Sequence, residues 1–136
     1  MKVVLDTNVL VSGLLSPHGP PGGILRMVAA GRLTPCLDAR ILAEYREVLS
    51  RATFGFRQDR VDELLAQIGT EGESVVAEPL RQRLKDTGDE PFLEVALATK
   101  AECLVTGNLR HYPASLREGV KVISPAEFLE FLRHRQ

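Results

Sequence analysis

Short apolar runs alternate with helical patterns of apolar residues along almost the whole chain. Val3-Val4-Leu5 is the first of these runs and is typical of a strand that is covered on both faces. Strands are predicted at residues 3–5, 33–37, 73–77, 103–106 and 120–123, and helices at 24–30, 39–51, 58–68, 91–101 and from 125 onward. Such alternation predicts an α/β fold with three layers (α/β/α) and a central parallel sheet. The 136 residues fit one compact domain, 1–136.

The ends of several predicted elements carry recognisable signals. Asp38 is a good N-cap for the helix at 39–51. Residues 124–127, Ser-Pro-Ala-Glu, have the pattern of a capping box with proline in the first turn of the last helix. After the first strand, a turn is predicted at residues 7–8, and the proline and glycine content of residues 16–23 predicts a loop.

Acidic and amide side chains stand where a site would form in such a sheet. Asp6 follows the first predicted strand and Asn108 follows the fourth. Glu44 lies on the flank of the apolar stripe of its helix, and Asp89 precedes the helix at 91–101. Sites of parallel α/β sheets form beyond the carboxyl ends of the strands. We therefore expect these side chains to face a common crevice.

Each carboxylate also has a local explanation at this stage. Asp6 could cap the turn that follows it, Glu44 could pair with an arginine, and Asp89 could act as an N-cap. Two further glutamates of the same helices are predicted to lie away from the site: Glu47 and Glu94.

Oxygen ligands that converge without cysteine or histidine suit a hard cation such as Mg²⁺. Such an ion activates water and neutralises the charge that develops during phosphodiester hydrolysis. The histidines show no ligand spacing and are predicted to be surface or loop residues: His18, His111 and His134. Cys36 and Cys103 lie in apolar segments and are predicted to be buried thiols, without a disulfide or a zinc site.

Several segments together resemble a known family, the PIN domain. They are VVLDTNVLVSGL at the start, ILAEYREVLSR in the middle, DTGDEPFLEVALATKAECLVTGN, and a closing strand and helix. The chain is most similar to the VapC-like group of bacterial and archaeal toxins from toxin–antitoxin pairs. By position, Asp6, Glu44 and Asp89 match the metal-binding acidic residues of the family. Its supporting polar residues are matched by Thr7 or Asn8 and by Thr106.

The resemblance implies a Mg²⁺- or Mn²⁺-dependent endoribonuclease that is often a homodimer and is held inactive by a small antitoxin. Asn108 departs from the family pattern, since many members have a fourth aspartate there. We expect Asn108 to contribute its amide oxygen to the metal site. We also hypothesise that Asp86 supplies the missing carboxylate. Asp89 is the candidate general base. Basic residues that could grip RNA phosphates are Arg46, Arg51 and Arg110, among the 13 arginines of the 17 basic residues.

Other functions are disfavoured by what the sequence lacks. A phosphatase of the haloacid dehalogenase type needs Asp-x-Asp after the first strand, and Asn8 occupies the second of those positions. The glycine-rich loops of common nucleotide-binding proteins are absent. No apolar run approaches the roughly 18 residues of a membrane-spanning helix, and Asp6 within the first apolar stretch argues against a signal peptide, so a cytoplasmic protein is expected.

Two alternatives stay open. Because Asn108 replaces a carboxylate, the chain could be a weak or inactive PIN-like module that binds RNA or a protein without cutting. The segment at residues 52–56, which carries Phe54 and Phe56, could pack into the core or form an apolar patch for a partner helix.

Overall fold

A five-stranded parallel sheet forms the centre of the protein, in a computed structural model that describes residues 1–135. The strands are β1 (Lys2–Leu5), β2 (Thr34–Leu37), β3 (Glu73–Ser74), β4 (Cys103–Val105) and β5 (Val122–Ile123). The α-helices are α1 (Thr7–Leu15), α2 (Pro20–Ala29), α3 (Ala39–Leu49), α4 (Gln58–Glu71), α5 (Glu90–Thr99) and α6 (Pro125–His134). Short 3-10 helices span Thr87–Asp89, Leu109–His111 and Ala114–Leu116.

The strand order is β3-β2-β1-β4-β5, and every neighbouring pair is parallel. The chain therefore builds outward from β1 in one direction through β2 and β3, and then in the other through β4 and β5. This reversal places a crevice beyond the carboxyl ends of β1 and β4. The predicted three-layer α/β/α fold with a central parallel sheet is confirmed.

The two central strands form the interior of the fold. Every residue of 3–5 and 103–105 is fully buried, as the uninterrupted apolar runs predict. Helix α5 packs across β1, β2 and β4 and brings the residues that precede it to the edge of the sheet. Burying one Val or Leu side chain contributes about 1.5–3 kcal/mol to the stability of the fold. The buried residues of β1 and β4 therefore form a stable base for the crevice.

The segment after β1 is a helix, and the turn predicted at residues 7–8 is wrong. Helix α1 begins at Thr7, directly after Asp6, and Val9 N–H donates to Asp6 C=O at 2.9 Å. Its sequence, TNVLVSGLL, is rich in β-branched and small residues and has weak intrinsic helix propensity. Packing against α2 overrides that propensity, and Val9, Leu10 and Gly13 are buried there.

The loop predicted at residues 16–23 also extends too far toward the C-terminus. Helix α2 begins at Pro20 and not at residue 24, with proline in its first turn, where the missing N–H costs nothing. Gly22 lies tightly against the backbone of Pro17, since a Cβ at this position would stand 2.0 Å from the Pro17 carbonyl oxygen. The loop and α2 therefore pack more closely than any larger residue allows.

The cap predictions agree with the structure. The Asp38 carboxylate accepts from Ile41 N–H at 3.0 Å at the start of α3. Ser124 and Glu127 form the reciprocal capping box of α6. Strand β3 is shorter than the predicted 73–77, because it pairs only with Cys36 and Leu37 before β2 ends.

Both cysteines are buried free thiols, as predicted. Phe56 is half-buried against the core and stacks on Phe54 with ring centroids 5.4 Å apart. Among the described residues, none of the helices is both long and apolar enough to cross a membrane.

Candidate active site at the carboxyl edge of the sheet

Four parts of the chain meet at the crevice beyond β1 and β4. Asp6 follows β1, and Thr106 and Asn108 follow β4. Glu44 comes from the middle of α3, and Asp89 ends the 3-10 helix that leads into α5. The negative charges of Asp6, Asp86 and Glu44 each raise the pKa of Asp89, so these carboxylates lie within electrostatic reach of one another.

Asp6 is buried and held by two hydroxyl groups. Its Oδ2 accepts from Thr106 Oγ1 at 2.9 Å and from Tyr112 OH at 3.0 Å. Burial raises the pKa of Asp6, and these hydrogen bonds oppose that rise because they favour the ionised form. The side chain makes no capping hydrogen bond to α1, so the alternative role as a helix cap is not observed.

Thr106 and Asn8 tie the loop after β4 to α1. Thr106 Oγ1 accepts from Asn108 N–H at 3.0 Å and from Asn8 Nδ2 at 3.4 Å. Asn8 Oδ1 in turn accepts from Gly107 N–H at 2.8 Å. This network fixes the loop after β4 relative to Asp6.

Glu44 is half-buried and accepts a hydrogen bond from the Thr7 hydroxyl through its Oε2. Within residues 1–135, no arginine pairs with it, so the salt-bridge alternative is not observed. Burial, and then the charges of Asp6 and Asp86, raise the pKa of Glu44. No arginine of the described residues therefore offsets the negative charge that Glu44 has when it is ionised.

Asp89 has the least satisfied carboxylate of the site. The residue is only 9% exposed, and its Oδ2 is buried without a hydrogen-bond partner in residues 1–135. His111 Nδ1 lies 3.1 Å from that oxygen, which is close enough for an ion pair when the imidazole is protonated. Burial, followed by the charge of Asp6, raises the pKa of Asp89 to about 6. Although Asp89 stands at the N-cap of α5, its side chain makes no capping bond.

The remaining predicted residues lie around this cluster. Asp86 is exposed and its carboxylate accepts from Gly88 N–H at 2.8 Å, which caps the short helix before α5. Asn108 Nδ2 lies 2.8 Å from His111 Nε2. Glu94, predicted to lie outside the site, accepts from Leu80 N–H and pairs with Arg40.

Two site residues were missed by sequence reasoning: His111 and Tyr112. Tyr112 is fully buried beneath Asp6, and His111 contacts both Asp89 and Asn108. The available signal was their place in the loop that follows β4, three and four residues after Asn108. Their orientation depends on the 3-10 turn at Leu109–His111, which no helical or strand periodicity reveals.

The predicted arginines are not equally placed. Arg110 lines a cleft beside Asp86 and Asp89. Arg51 follows α3 and pairs with Glu47 at 2.8 Å, and Arg46 lies on α3 at 3.9 Å from Asp62. Of the three, Arg110 alone lines the cleft that contains Asp89.

The carboxylate oxygens of the site are of the type that binds a hard divalent cation. In this structure, however, they are not arranged closely enough to bind one. Within residues 1–135, no three or more His, Cys, Asp or Glu side chains lie close enough together to hold a metal ion as they stand. Glu44 is engaged by Thr7, and Asp6 by Thr106 and Tyr112. The Asp89 oxygen without a hydrogen-bond partner and the raised pKa values of Glu44 and Asp89 are nevertheless what a bound cation would relieve.

Comparisons with known proteins agree with the fold. A sequence model of the PIN domain family matches residues 2–110, which include every predicted site residue. The uncharacterised protein MJ1680 of Methanocaldococcus jannaschii is 31% identical over 144 residues, covering 96% of this chain and 90% of that protein. The structure of VapBC2 from Rickettsia felis, bound to a DNA fragment from their promoter, has a TM-score of 0.59 at 18% identity, covering 91% of this chain and 98% of that one.

Proposed function

The chain belongs to the PIN domain family, and from that premise we propose that it is a metal-dependent endoribonuclease, the cytoplasmic toxin of a toxin–antitoxin pair. The observation that supports this proposal is the electrostatic influence of Asp6 and Glu44 on Asp89, since the charge of each raises the Asp89 pKa at the carboxyl edge of the sheet. One of these carboxylates, Asp89, has a buried oxygen without a partner in the described chain. Leaving such an oxygen unsatisfied costs about 1–3 kcal/mol, which a bound cation offsets.

Asp6, Glu44 and Asp89 are the residues that would hold Mg²⁺ or Mn²⁺. Bound there, the ion would activate water and neutralise charge on the scissile phosphate. Hydrogen bonds from Thr106 and Tyr112 orient Asp6 and favour its ionised form against the effect of burial. For Glu44 to join them, its side chain has to exchange the Thr7 hydroxyl for the ion, which is a side-chain rearrangement.

Asp89 is also the candidate for proton transfer. In the metal-free protein burial raises its pKa to about 6, and a bound cation would lower that pKa and keep the carboxylate ionised as a proton acceptor. We therefore assign Asp89 as the general base as well as a ligand.

A single metal ion suits this site better than two. The position after β4 that could supply another carboxylate holds the neutral amide of Asn108, and that amide contacts His111. Asp86 supplies the remaining carboxylate of the cleft. Calorimetric titration with Mn²⁺ should give one ion per chain, and Asp86→Asn should weaken binding. Unchanged affinity and activity in that variant would remove Asp86 from the site.

The substrate class is tested by cleavage of matched oligonucleotides. We expect a mixed single-stranded or hairpin RNA to be cut in Mn²⁺ or Mg²⁺ and left intact in EDTA, whereas DNA of the same sequence is cut more slowly. Cleavage that persists in EDTA would contradict the metal-dependent proposal. Preferential cleavage of DNA would contradict the assignment of RNA as substrate.

A second candidate function follows from Asn108. A site with one carboxylate fewer binds a cation less strongly, and a PIN-like module with such a site could bind RNA without cutting it. A gel-shift assay separates the two: RNA that is retarded but stays intact at saturating Mn²⁺ supports the binding module.

We assign the antitoxin to an apolar groove between α1, α2 and α4. The groove has a volume of about 460 Å³, and Leu14, Leu25 and Phe56 contribute to its lining together with Arg26 and Arg60. These charges suit an apolar peptide segment with acidic flanks. The structural similarity to VapBC2 from Rickettsia felis supports an antitoxin partner, and the choice of this groove rests on its lining.

The antitoxin proposal is tested with the product of a small open reading frame next to the gene. Phe56→Ala should weaken its binding, whereas Phe131→Ala, on α6, should not. Equal affinity for both variants would place the partner elsewhere. The proposed homodimer is tested by light scattering, which should give twice the mass of 15.0 kDa.

A further inference from the structure

A cleft beside the acidic cluster combines charges of both signs. It has a volume of about 620 Å³, and its lining includes Lys85, Asp86, Asp89, Arg110 and His111. Lys85 lies just before the 3-10 helix at Thr87–Asp89, and Arg110 lies within the one at Leu109–His111. Two separate loops therefore bring basic side chains to the same cleft as Asp89.

These two cations are not committed to ion pairs. Within residues 1–135, neither Lys85 nor Arg110 pairs with a carboxylate. Many other basic residues of the chain do, among them Arg40, Arg51 and Arg83. An unpaired cation in a cleft is available to an anion from outside, and guanidinium and ammonium groups bind phosphate strongly.

The acidic part of the cleft is also incomplete. Asp89 is 9% exposed, lines the cleft and has its Oδ2 buried without a hydrogen-bond partner in the described chain. A ligand that satisfies both parts presents a cation or a hydrogen-bond donor to Asp89 and an anionic group to Lys85 and Arg110. A nucleic acid strand whose scissile phosphate is bound through the metal ion meets both conditions.

We propose that this cleft binds the phosphate that flanks the scissile phosphate of an unpaired RNA strand, with Lys85 and Arg110 as its contacts. The proposal rests on the nuclease function proposed above. The cleft volume is in the size range of a small-molecule pocket, which is large enough for a phosphate group with part of its nucleotide.

The contact sets register and affinity, and it does not read the sequence. None of the lining residues is Phe, Tyr or Trp, and the one aromatic ring of the lining, His111, contacts Asp89 and Asn108, so the cleft lacks the large aromatic side chain on which bases usually stack. Contacts to phosphates are independent of the base and are weakened by salt, because binding releases counterions.

The salt dependence of binding tests the proposal quantitatively. A fluorescein-labelled single-stranded RNA is titrated with protein in EDTA, so that metal-dependent cleavage does not interfere, over a series of KCl concentrations. For single strands, the slope of log K against log salt changes by about 0.7 for each phosphate contact. Because both side chains contact one phosphate, the double variant Lys85→Gln/Arg110→Gln should have a slope shallower by about 0.7. Its affinity at 0.1 M salt should be lower by about 5-fold.

The matched control removes the same two charges from the opposite edge of the sheet. Arg32 precedes β2 and Lys100 precedes β4, and both are exposed. Arg32→Gln/Lys100→Gln should keep the slope and affinity of the wild type.

Three results would overturn the phosphate site: a slope in the Lys85/Arg110 variant equal to that of the wild type, an equal loss in the control variant, or no RNA binding by the wild type at low salt. A different result would show that the nuclease proposal is wrong. In that case the RNA stays intact in Mn²⁺, while the change of the salt slope in EDTA still shows whether the cleft binds a phosphate.

Discussion

Replacing Asp89 with asparagine should stabilise the metal-free protein while removing its activity. The pKa of Asp89 rises from an ordinary value of 3.8 to about 6, first through burial and then through the charge of Asp6. This rise corresponds to about 3 kcal/mol of destabilisation when the group is ionised. Because the cleft opens to solvent, which screens the charge, we expect about 1–2 kcal/mol.

The direction in which stability changes with pH follows from the linkage between proton binding and folding. A carboxylate whose pKa is raised on folding contributes no penalty below about pH 4, where it is protonated in both the folded and the unfolded chain. The folded protein loses stability as the pH rises from about 4 to 6, because the unfolded chain ionises more readily. The Asp89→Asn variant has no carboxylate at this position, so it does not lose stability over this pH interval. Its advantage over the wild type should appear across that interval and be constant above about pH 7.

Thermal unfolding in EDTA at a series of pH values measures the effect. A gain of about 1–2 kcal/mol in a chain of this size raises Tm by about 3–8 °C at pH 7.5. Asp62→Asn, which changes an exposed carboxylate 3.9 Å from Arg46, should shift Tm little at any pH. A variant that is less stable than the wild type at pH 7.5, or a Tm difference that does not vary with pH, would refute the reasoning.

Three further predictions concern single contacts. Tyr112→Phe removes a hydrogen bond to buried Asp6 and should lower the free energy of unfolding at pH 7.5 by about 1.5–3 kcal/mol in urea titrations; no change would mean that the bond is unimportant. Ser124→Ala breaks the capping box of α6 and should cost about 0.5–2 kcal/mol, and an unaltered urea midpoint would count against it. Glu44→Gln should reduce RNA cleavage by more than about 100-fold, because replacing even a residue that only supports a metal ligand costs about 10–100-fold. Glu47→Gln on the same helix should retain the wild-type cleavage rate. Equal rates for the two variants would exclude Glu44 from the site.

The parts of the fold that sequence predicted are those governed by local rules. The buried run 3–5, the N-cap Asp38 and the capping box at Ser124 each follow from chemistry within a few residues, and the structure contains all of them. Helix α1 was missed because its helical state depends on packing against α2, which is a tertiary effect that local propensity does not contain.

The candidate site divides in the same way. The placement of Asp6 and Asn108 followed from their position after strands, since the carboxyl ends of parallel strands meet at one edge. The roles of Tyr112 and His111 depend on a 3-10 turn that rotates one beneath Asp6 and brings the other against Asp89. Asp89 makes no capping bond to α5, and the side-chain cap found in this segment is that of Asp86 on the preceding 3-10 helix.

The most direct test of the proposed catalytic centre is the rate of single-stranded RNA cleavage in Mn²⁺ by wild-type protein and by Asp6→Asn. We predict metal-dependent cleavage by the wild type and a loss of more than about 100-fold in the variant, because Asp6 is assigned as a ligand of the ion. Circular dichroism should show the same secondary structure for both proteins. Cleavage by a folded Asp6→Asn variant at the wild-type rate would contradict the account.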